Sequence, residues 1–147
     1  VSRILPVFTR HAVIRSVNHE KLAAYAMEAA EQCERHDVPE IEEYKDIPAL
    51  LEAWPKDRLL LYADESGLGG DLKTLLPSLS VGCKLGVLVG PEGGFSADEH
   101  ALLQQHAKGF GLGPRILRAD TASVAALACI QAWLGDWHEQ PHFTAKG

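Results

Sequence analysis

The run LGVLVGPEGGFSADEH, Leu85 to His100, decides how the chain is built. Leu85 to Val89 is an apolar run of strand length, which predicts a strand. It breaks at Gly90-Pro91-Glu92-Gly93-Gly94, and Ser96-Ala97-Asp98-Glu99 then reads as a capping box opening a helix to about Ala107. A strand, a glycine turn and a helix start together often hold a nucleotide phosphate. This turn does not suit one. A Walker loop needs a lysine after its last glycine and a dinucleotide loop needs GxGxxG. Glu92 would also repel the anion. The plainer reading is a tight turn, with Pro91 fixing φ and Gly93 and Gly94 at positive φ.

Outward from this run the pattern repeats. Arg58–Ala63 (RLLLYA) is a second apolar run of strand length. Arg3–Thr9 (RILPVFT) predicts a short buried strand and His11–Val17 a second extended piece. Asn18 is placed to cap a helix in which Leu22, Tyr25, Ala26, Ala29 and Ala30 recur at helical spacing, and Pro39 follows it. EIEE predicts a short strand, and DIPALLEAW a short helix stopped by Pro55. Ser66–Gly70 reads as a turn, while Leu72–Leu79 fits neither period. Gly109–Gly113 predicts a short strand and PRILR a loop. Asp120 or Thr121 opens a last helix to about Leu134. Strands alternating with helices predict an α/β domain with a mainly parallel sheet flanked by helices.

The chain has 147 residues, enough for one domain with a core of its own. Its net charge is −6, which disfavours nucleic acid at first sight. The acidity is local, however. Residues 37–76 hold ten acids and four bases, whereas Val1–Asn18 holds Arg3, Arg10 and Arg15 and no acid. A basic face is therefore compatible with an acidic chain. Cys33, Cys83 and Cys129 are far apart and form no CxxC, so they read as reduced, buried residues of a cytoplasmic protein without a metal. His11, His36 and His100 read as surface or helix-face residues, and Trp54, Trp133 and Trp137 as core or interface. No run suggests a membrane span or a leader. The last helix, TASVAALACIQAWL, is almost uncharged; it reads as a core helix or, more sharply, as a subunit interface.

A ligand that fits the Gly90–Gly94 turn better carries an adenosine and a positive charge but no phosphate, as S-adenosylmethionine does. Backbone groups can hold its adenine, and its sulfonium and ammonium tolerate a carboxylate. VGPEGGFSADE followed by GLGPRILRADTA resembles the paired signature of the RsmE-type ribosomal RNA methyltransferases, of the SPOUT or α/β-knot class. RILPVFTRHAVIR resembles the strand and arginine-bearing loop that open their catalytic domain, and EAAEQCERHDVPEI resembles a further segment. The likeness runs from Val1 to about Trp137, leaving 138–147 as a tail.

The resemblance implies a SPOUT fold with a C-terminal trefoil knot, S-adenosylmethionine held in the knot, and a homodimer. The implied reaction is methylation of N-3 of a uridine in 16S ribosomal RNA, on the assembled small subunit. It also implies an N-terminal PUA-like RNA-binding barrel, absent from these residues. By position, Val89, Gly90, Glu92, Gly93 and Gly94 form one wall of the cofactor pocket. Leu112, Gly113, Ile116 and Leu117 form another, and the strand end from Tyr62 and Ala63 to Glu65 the third. Arg115 and Arg118 close the site, Arg10 contacts from the N-terminal loop, and Asp120 is a candidate proton acceptor or a helix cap. Three positions depart from the family pattern: Glu34 stands where a glycine is usual, Asp37 where a basic residue is common, and Asp120 where a glutamate is usual. The alternatives are a SPOUT enzyme acting on another RNA such as transfer RNA, and a cofactor- or RNA-binding module without turnover.

Overall fold

Pro6 divides the first apolar run. In the computed structural model, which describes residues 1–13 and 16–139, Arg3–Thr9 is not one strand but two, β1 (Arg3–Ile4) and β2 (Val7–Phe8). Proline has no N–H to give to a ladder. β1 pairs in parallel with β3 (Glu40–Ile41), and β2 with β4 (Lys45–Asp46). The expected extended piece from His11 forms no strand among the described residues; Arg15 and most of the tail lie outside them.

Helix α1 (His19–Gln32) starts where Asn18 Oδ1 accepts the Lys21 N–H at 2.9 Å, and it buries Ala26 and Ala30. It closes in a Schellman motif: Arg35 N–H donates to Ala30 O at 2.9 Å and Glu34 N–H to Glu31 O at 3.1 Å. That motif needs a left-handed residue, and Glu34 supplies it at φ 53°. Helix α2 (Ile47–Glu52) is capped by Asp46, whose Oδ1 accepts the Ala49 N–H at 2.9 Å, with Pro48 in its first turn.

The main sheet has four parallel strands in the order β6-β8-β5-β7, where β5 is Leu59–Ala63, β6 Gly70–Asp71, β7 Leu85–Leu88 and β8 Lys108–Gly111. Alternate residues of β5 feed two cores. Leu61 packs with Leu72, Leu76, Phe110, Ala126 and Ile130 on one face; Leu60 and Tyr62 pack with Ile47, Leu50 and Leu103 on the other. Because β8 lies between β5 and β6, residues 64–69 cross over it, and a Cβ at Gly69 would sit 2.9 Å from the Phe110 backbone. Leu72–Leu79 proves helical, as the short α3 (Leu72–Leu75) and a 3-10 turn at Leu76–Ser78.

Helix α4 (Ala97–His106) carries the expected capping box: Ser96 N–H donates to Glu99 Oε2 at 2.8 Å and Glu99 N–H to Ser96 Oγ at 3.4 Å. Helix α5 (Ala119–Leu134) opens earlier than expected, with Arg118 at its N-cap position and no side-chain cap. Asp120 therefore sits in the first turn and does not cap it. Nor is α5 buried all round. Ala122, Ala126, Ile130 and Leu134 face the core, while Val124 and Trp133 are exposed. The cysteines also depart from expectation: Cys33 ends α1 and Cys129 lies on the outer side of α5, both exposed, and only Cys83 is half-buried. Trp54 packs against the second core, whereas Trp137 is exposed.

A left-handed glutamate is strained relative to glycine. Glu34→Gly is expected to stabilise the chain by about 0.5–1 kcal/mol and raise Tm by roughly 1–4 °C, measured by thermal denaturation followed by circular dichroism.

Candidate functional site

Parallel strands deliver their carboxyl ends to one edge of a sheet, and ligands of open α/β sheets bind there. At that edge lies a cavity of about 250 Å³. Its walls come from three segments distant in sequence. The end of β5 and the turn after it give Ala63, Asp64, Glu65 and Gly67. The end of β7 gives Val89 and Gly90. The end of β8 and the loop into α5 give Phe110 to Leu117, with Ala119 and Ala122 behind. The side chains are mostly apolar, and polar capacity comes from the loop backbones, two carboxylates and Arg115.

The residues marked out by sequence divide into two groups. Ala63, Asp64, Glu65, Val89, Gly90, Leu112, Gly113, Arg115, Ile116 and Leu117 line this cavity. Tyr62 does not: it alternates with Ala63 along β5, so its ring points into the second core, edge-on to Phe95 and His100. Burial pushes its phenol up, with the charge of Asp64 adding to the effect. Glu92, Gly93 and Gly94 lie outside the lining too; Glu92 and Gly93 are exposed, whereas Gly94 is buried against the Glu65 carboxylate. Arg118 is exposed, its Nε 3.7 Å from Asp120 Oδ1. Asp120 accepts from the Thr121 N–H at 2.7 Å and the Thr121 hydroxyl at 3.2 Å, which holds its carboxyl below the ordinary value. Sequence reading missed Gly67, Phe110, Gly111, Ala119 and Ala122; only the glycine-rich character of 109–113 hinted at them.

The Gly90–Gly94 loop is a turn, with the Gly94 N–H donating to Pro91 O at 2.9 Å. Gly94 alone of the two expected glycines takes positive φ, at 63°. Gly93 is needed for a different reason: an added Cβ would lie 3.0 Å from His11 Cβ. The N-terminal loop is docked at this point. His11 Nδ1 is 2.8 Å from Gly93 O, and the Arg10 N–H donates to Glu99 Oε1 at 2.8 Å. Glu99 thus caps α4 with one oxygen and anchors Arg10 with the other. The Arg10 guanidinium stays exposed, 3.9 Å from Asp98. Arg35, in the segment where Asp37 departs from a basic pattern, is held by that carboxylate at 2.6 Å.

His100, on α4, is a half-buried helix-face residue rather than a surface one. Its Nε2 lies 3.0 Å from Oδ1 of Asp64, which also accepts the Ser66 N–H at 2.9 Å. The pair ties α4 to the turn that forms one cavity wall. Burial pushes the Asp64 carboxyl up, but the hydrogen bonds from Ser66 and His100 outweigh this and hold it below its ordinary value. Among the described residues, no group of three or more His, Cys, Asp or Glu could hold a metal ion, and no helix is long and apolar enough to cross a membrane. A carboxyl with a lowered folded pKa stabilises above its unfolded value of about 4 and loses this as pH falls through the folded value. Asp64→Asn is therefore expected to lower Tm at pH 7 by about 3–10 °C. The deficit should shrink as pH falls through the lowered folded value, read from melting curves across pH.

Comparison with known proteins bears on this geometry. A family model described as an RNA methyltransferase domain matches residues 1–131. Ribosomal RNA small subunit methyltransferase E of Rickettsia conorii is 37% identical over 133 residues, covering 89% of this chain and 54% of that protein. The protein of the same name from Bacillus subtilis is 35% identical over 116 residues, covering 76% and 45%. A putative methyltransferase of Legionella pneumophila in complex with SAM superposes with a TM-score of 0.75 at 28% identity, over 90% of this chain and 55% of that one. The Neisseria gonorrhoeae ribosomal RNA small subunit methyltransferase E bound to S-adenosyl methionine gives 0.74 at 26%, over 90% and 56%. The chain spans about half the length of the curated relatives it matches. With three-segment cavity, parallel sheet and family model in agreement, this chain belongs to the RsmE-type RNA methyltransferase family.

Proposed function

We propose that residues 1–137 are the catalytic domain of an S-adenosylmethionine-dependent enzyme that methylates N-3 of a uridine in 16S ribosomal RNA, with the assembled small subunit as substrate. The observation that carries this is the cavity at the carboxyl edge of the sheet, where both glycine-bearing loops meet. The cavity suits the cofactor chemically. Its apolar and backbone walls fit an adenosine, it has no lysine to attract a phosphate, and Asp64 and Glu65 tolerate a positive ligand. When bound, S-adenosylmethionine supplies an activated methyl group.

The residues of this chain have the remaining tasks. Displacement at a methyl needs the nucleophile held in line, so positioning dominates. Arg115 at the cavity and the exposed Arg118 are placed to grip phosphate or to stabilise the anion of a deprotonated uracil. Arginine stays protonated and is a poor base. Asp120, with its carboxyl held low by Thr121, is a weak base as well. In this reading Asp120 orients Arg118, and the N-3 proton leaves to water. Arg10, its backbone fixed and its guanidinium outward, contacts RNA phosphate.

The same reading includes the trefoil knot, supported by the crossing of residues 64–69 over β8, and a cytoplasmic location. It places an RNA-binding barrel in the remainder of the longer polypeptide and leaves 138–147 as a tail. It also includes a homodimer, supported by the exposed apolar side of α5 with Val124 and Trp133.

Calorimetric titration is expected to show saturable S-adenosylmethionine binding by the wild type and by Arg118→Ala, and none of ATP. In the longer enzyme Arg118→Ala should lose at least tenfold in methyl transfer to small subunits. ATP binding, or a methyl mapped to a ribose or a guanine, would sink the assignment. Light scattering at micromolar concentration should give twice the 16.0 kDa chain mass; a monomer would count against the dimer.

A further inference from the structure

The turn that forms one wall of the cavity is held by side chains. Residues 65–68 are exposed and make no backbone–backbone hydrogen bond among the described residues. Two short links shape them instead. Asp64 Oδ1 accepts the Ser66 N–H at 2.9 Å, and Ser66 Oγ accepts the Leu68 N–H at 3.2 Å, with Gly67 at φ 79° inside the second link. The Asp64 N–H is tied to Phe110 O at 2.9 Å. Beyond that bond the wall is only as fixed as the Asp64 carboxylate.

That carboxylate is built into the fold. Its side chain is 2% exposed. An added Cβ at Gly69 would lie 3.0 Å from Asp64 Cβ, and one at Gly109 would lie 3.2 Å from Oδ2, so two glycines leave it room. Both hydrogen bonds that it accepts among the described residues fall on Oδ1, one from Ser66 and one from His100 of α4. An ionised carboxylate only accepts, so the imidazole carries a proton on Nε2 and donates it. The His100 ring is itself held, edge-on to the Tyr62 ring at 5.8 Å between centroids. Among the described residues, His100 is the one side chain of another element that hydrogen-bonds this turn. It does so on the very atom that shapes the turn, in a residue that lines the cavity.

We propose that His100 is a positioning residue of the cofactor cavity. From α4 it fixes the Asp64 carboxylate, and through it the wall at 64–68, in the shape that receives S-adenosylmethionine. His100 itself lies outside the cavity lining, so it acts only through Asp64. A turn left loose must be ordered by its ligand, and that ordering lowers affinity. The inference rests on the cofactor reading above and adds to it a residue that the ligand does not touch. It places the effect of His100 on cofactor binding and not on the handling of RNA.

Three variants and one control test this. His100→Gln keeps a donor where Nε2 stands, His100→Asn has one that falls short, and His100→Leu has none. Ser96→Ala weakens the cap of α4 without touching Asp64 and reads the effect of stability alone. Hydrogen exchange at the Ser66 and Leu68 amides is measured first, without ligand and well below the melting temperature of every variant. It should quicken about tenfold in His100→Asn and His100→Leu, and match the wild type in His100→Gln and Ser96→Ala. The calorimetric Kd for S-adenosylmethionine should rise about tenfold in the same two variants and be restored by glutamine. In the longer enzyme KM for the cofactor should rise likewise, with kcat and KM for small subunits within about twofold of wild type. Unchanged exchange, failure of glutamine to rescue, or an equal loss of affinity in Ser96→Ala would overturn the proposal. A wild-type chain that binds no S-adenosylmethionine, while its turn responds to His100 as expected, would sink the cofactor reading and leave the positioning standing.

Discussion

The placement of β8 between β5 and β6 is the constraint on which the site depends. β5 and β6 are near in sequence, yet they cannot pair, because Lys108–Gly111 occupies the position between them. The connection must cross over β8, and the glycine at position 69 lets it lie directly on the Phe110 backbone. The crossing holds Asp64, Glu65 and Gly67 above the sheet edge as a wall. The same insertion sets the end of β8 beside the end of β5, so the loop from Leu112 to Leu117 faces that wall.

Much of this architecture is legible in sequence because the signals are local. Uninterrupted apolar runs marked β5 and β7, and Asn18 and Ser96 with Glu99 marked helix starts. The two glycine-bearing segments marked the cavity, and ten of the marked residues line it. What escaped depends on partners far along the chain. The Asp64–His100 pair joins residues on different elements, and His11 finds Gly93 across the fold. Tyr62 was misplaced because a cavity wall was assigned by stretch, whereas neighbours on a strand face opposite ways. Pro6 was visible, but the apolar residues on either side outweighed it. The exposure of Cys129 could not be read from an almost uncharged helix, since such a helix does not show which side meets the core.

The N-terminal loop and the Gly90–Gly94 loop act as one piece of structure. His11 bonds Gly93, and a single carboxylate, Glu99, both caps α4 and receives the Arg10 N–H. Arg10 is thereby held by its backbone, and its exposed side chain, 3.9 Å from Asp98, remains open to solvent. Arg35 is in the opposite position, its guanidinium occupied by Asp37. The two arginines are alike in composition and differ in what they can offer a polyanion.

The crossing over β8 also orders events in time. The cavity takes its walls from residues 63–67, 89–90 and 110–122, so no shorter N-terminal part of the chain contains it. The connection at 64–69 has to stay open until β8 has taken its place between its neighbours. Contacts so distant in sequence form slowly, because loop closure is paid before the packing rewards it. A chain emerging from the ribosome therefore has no such cavity until α5 has begun to form.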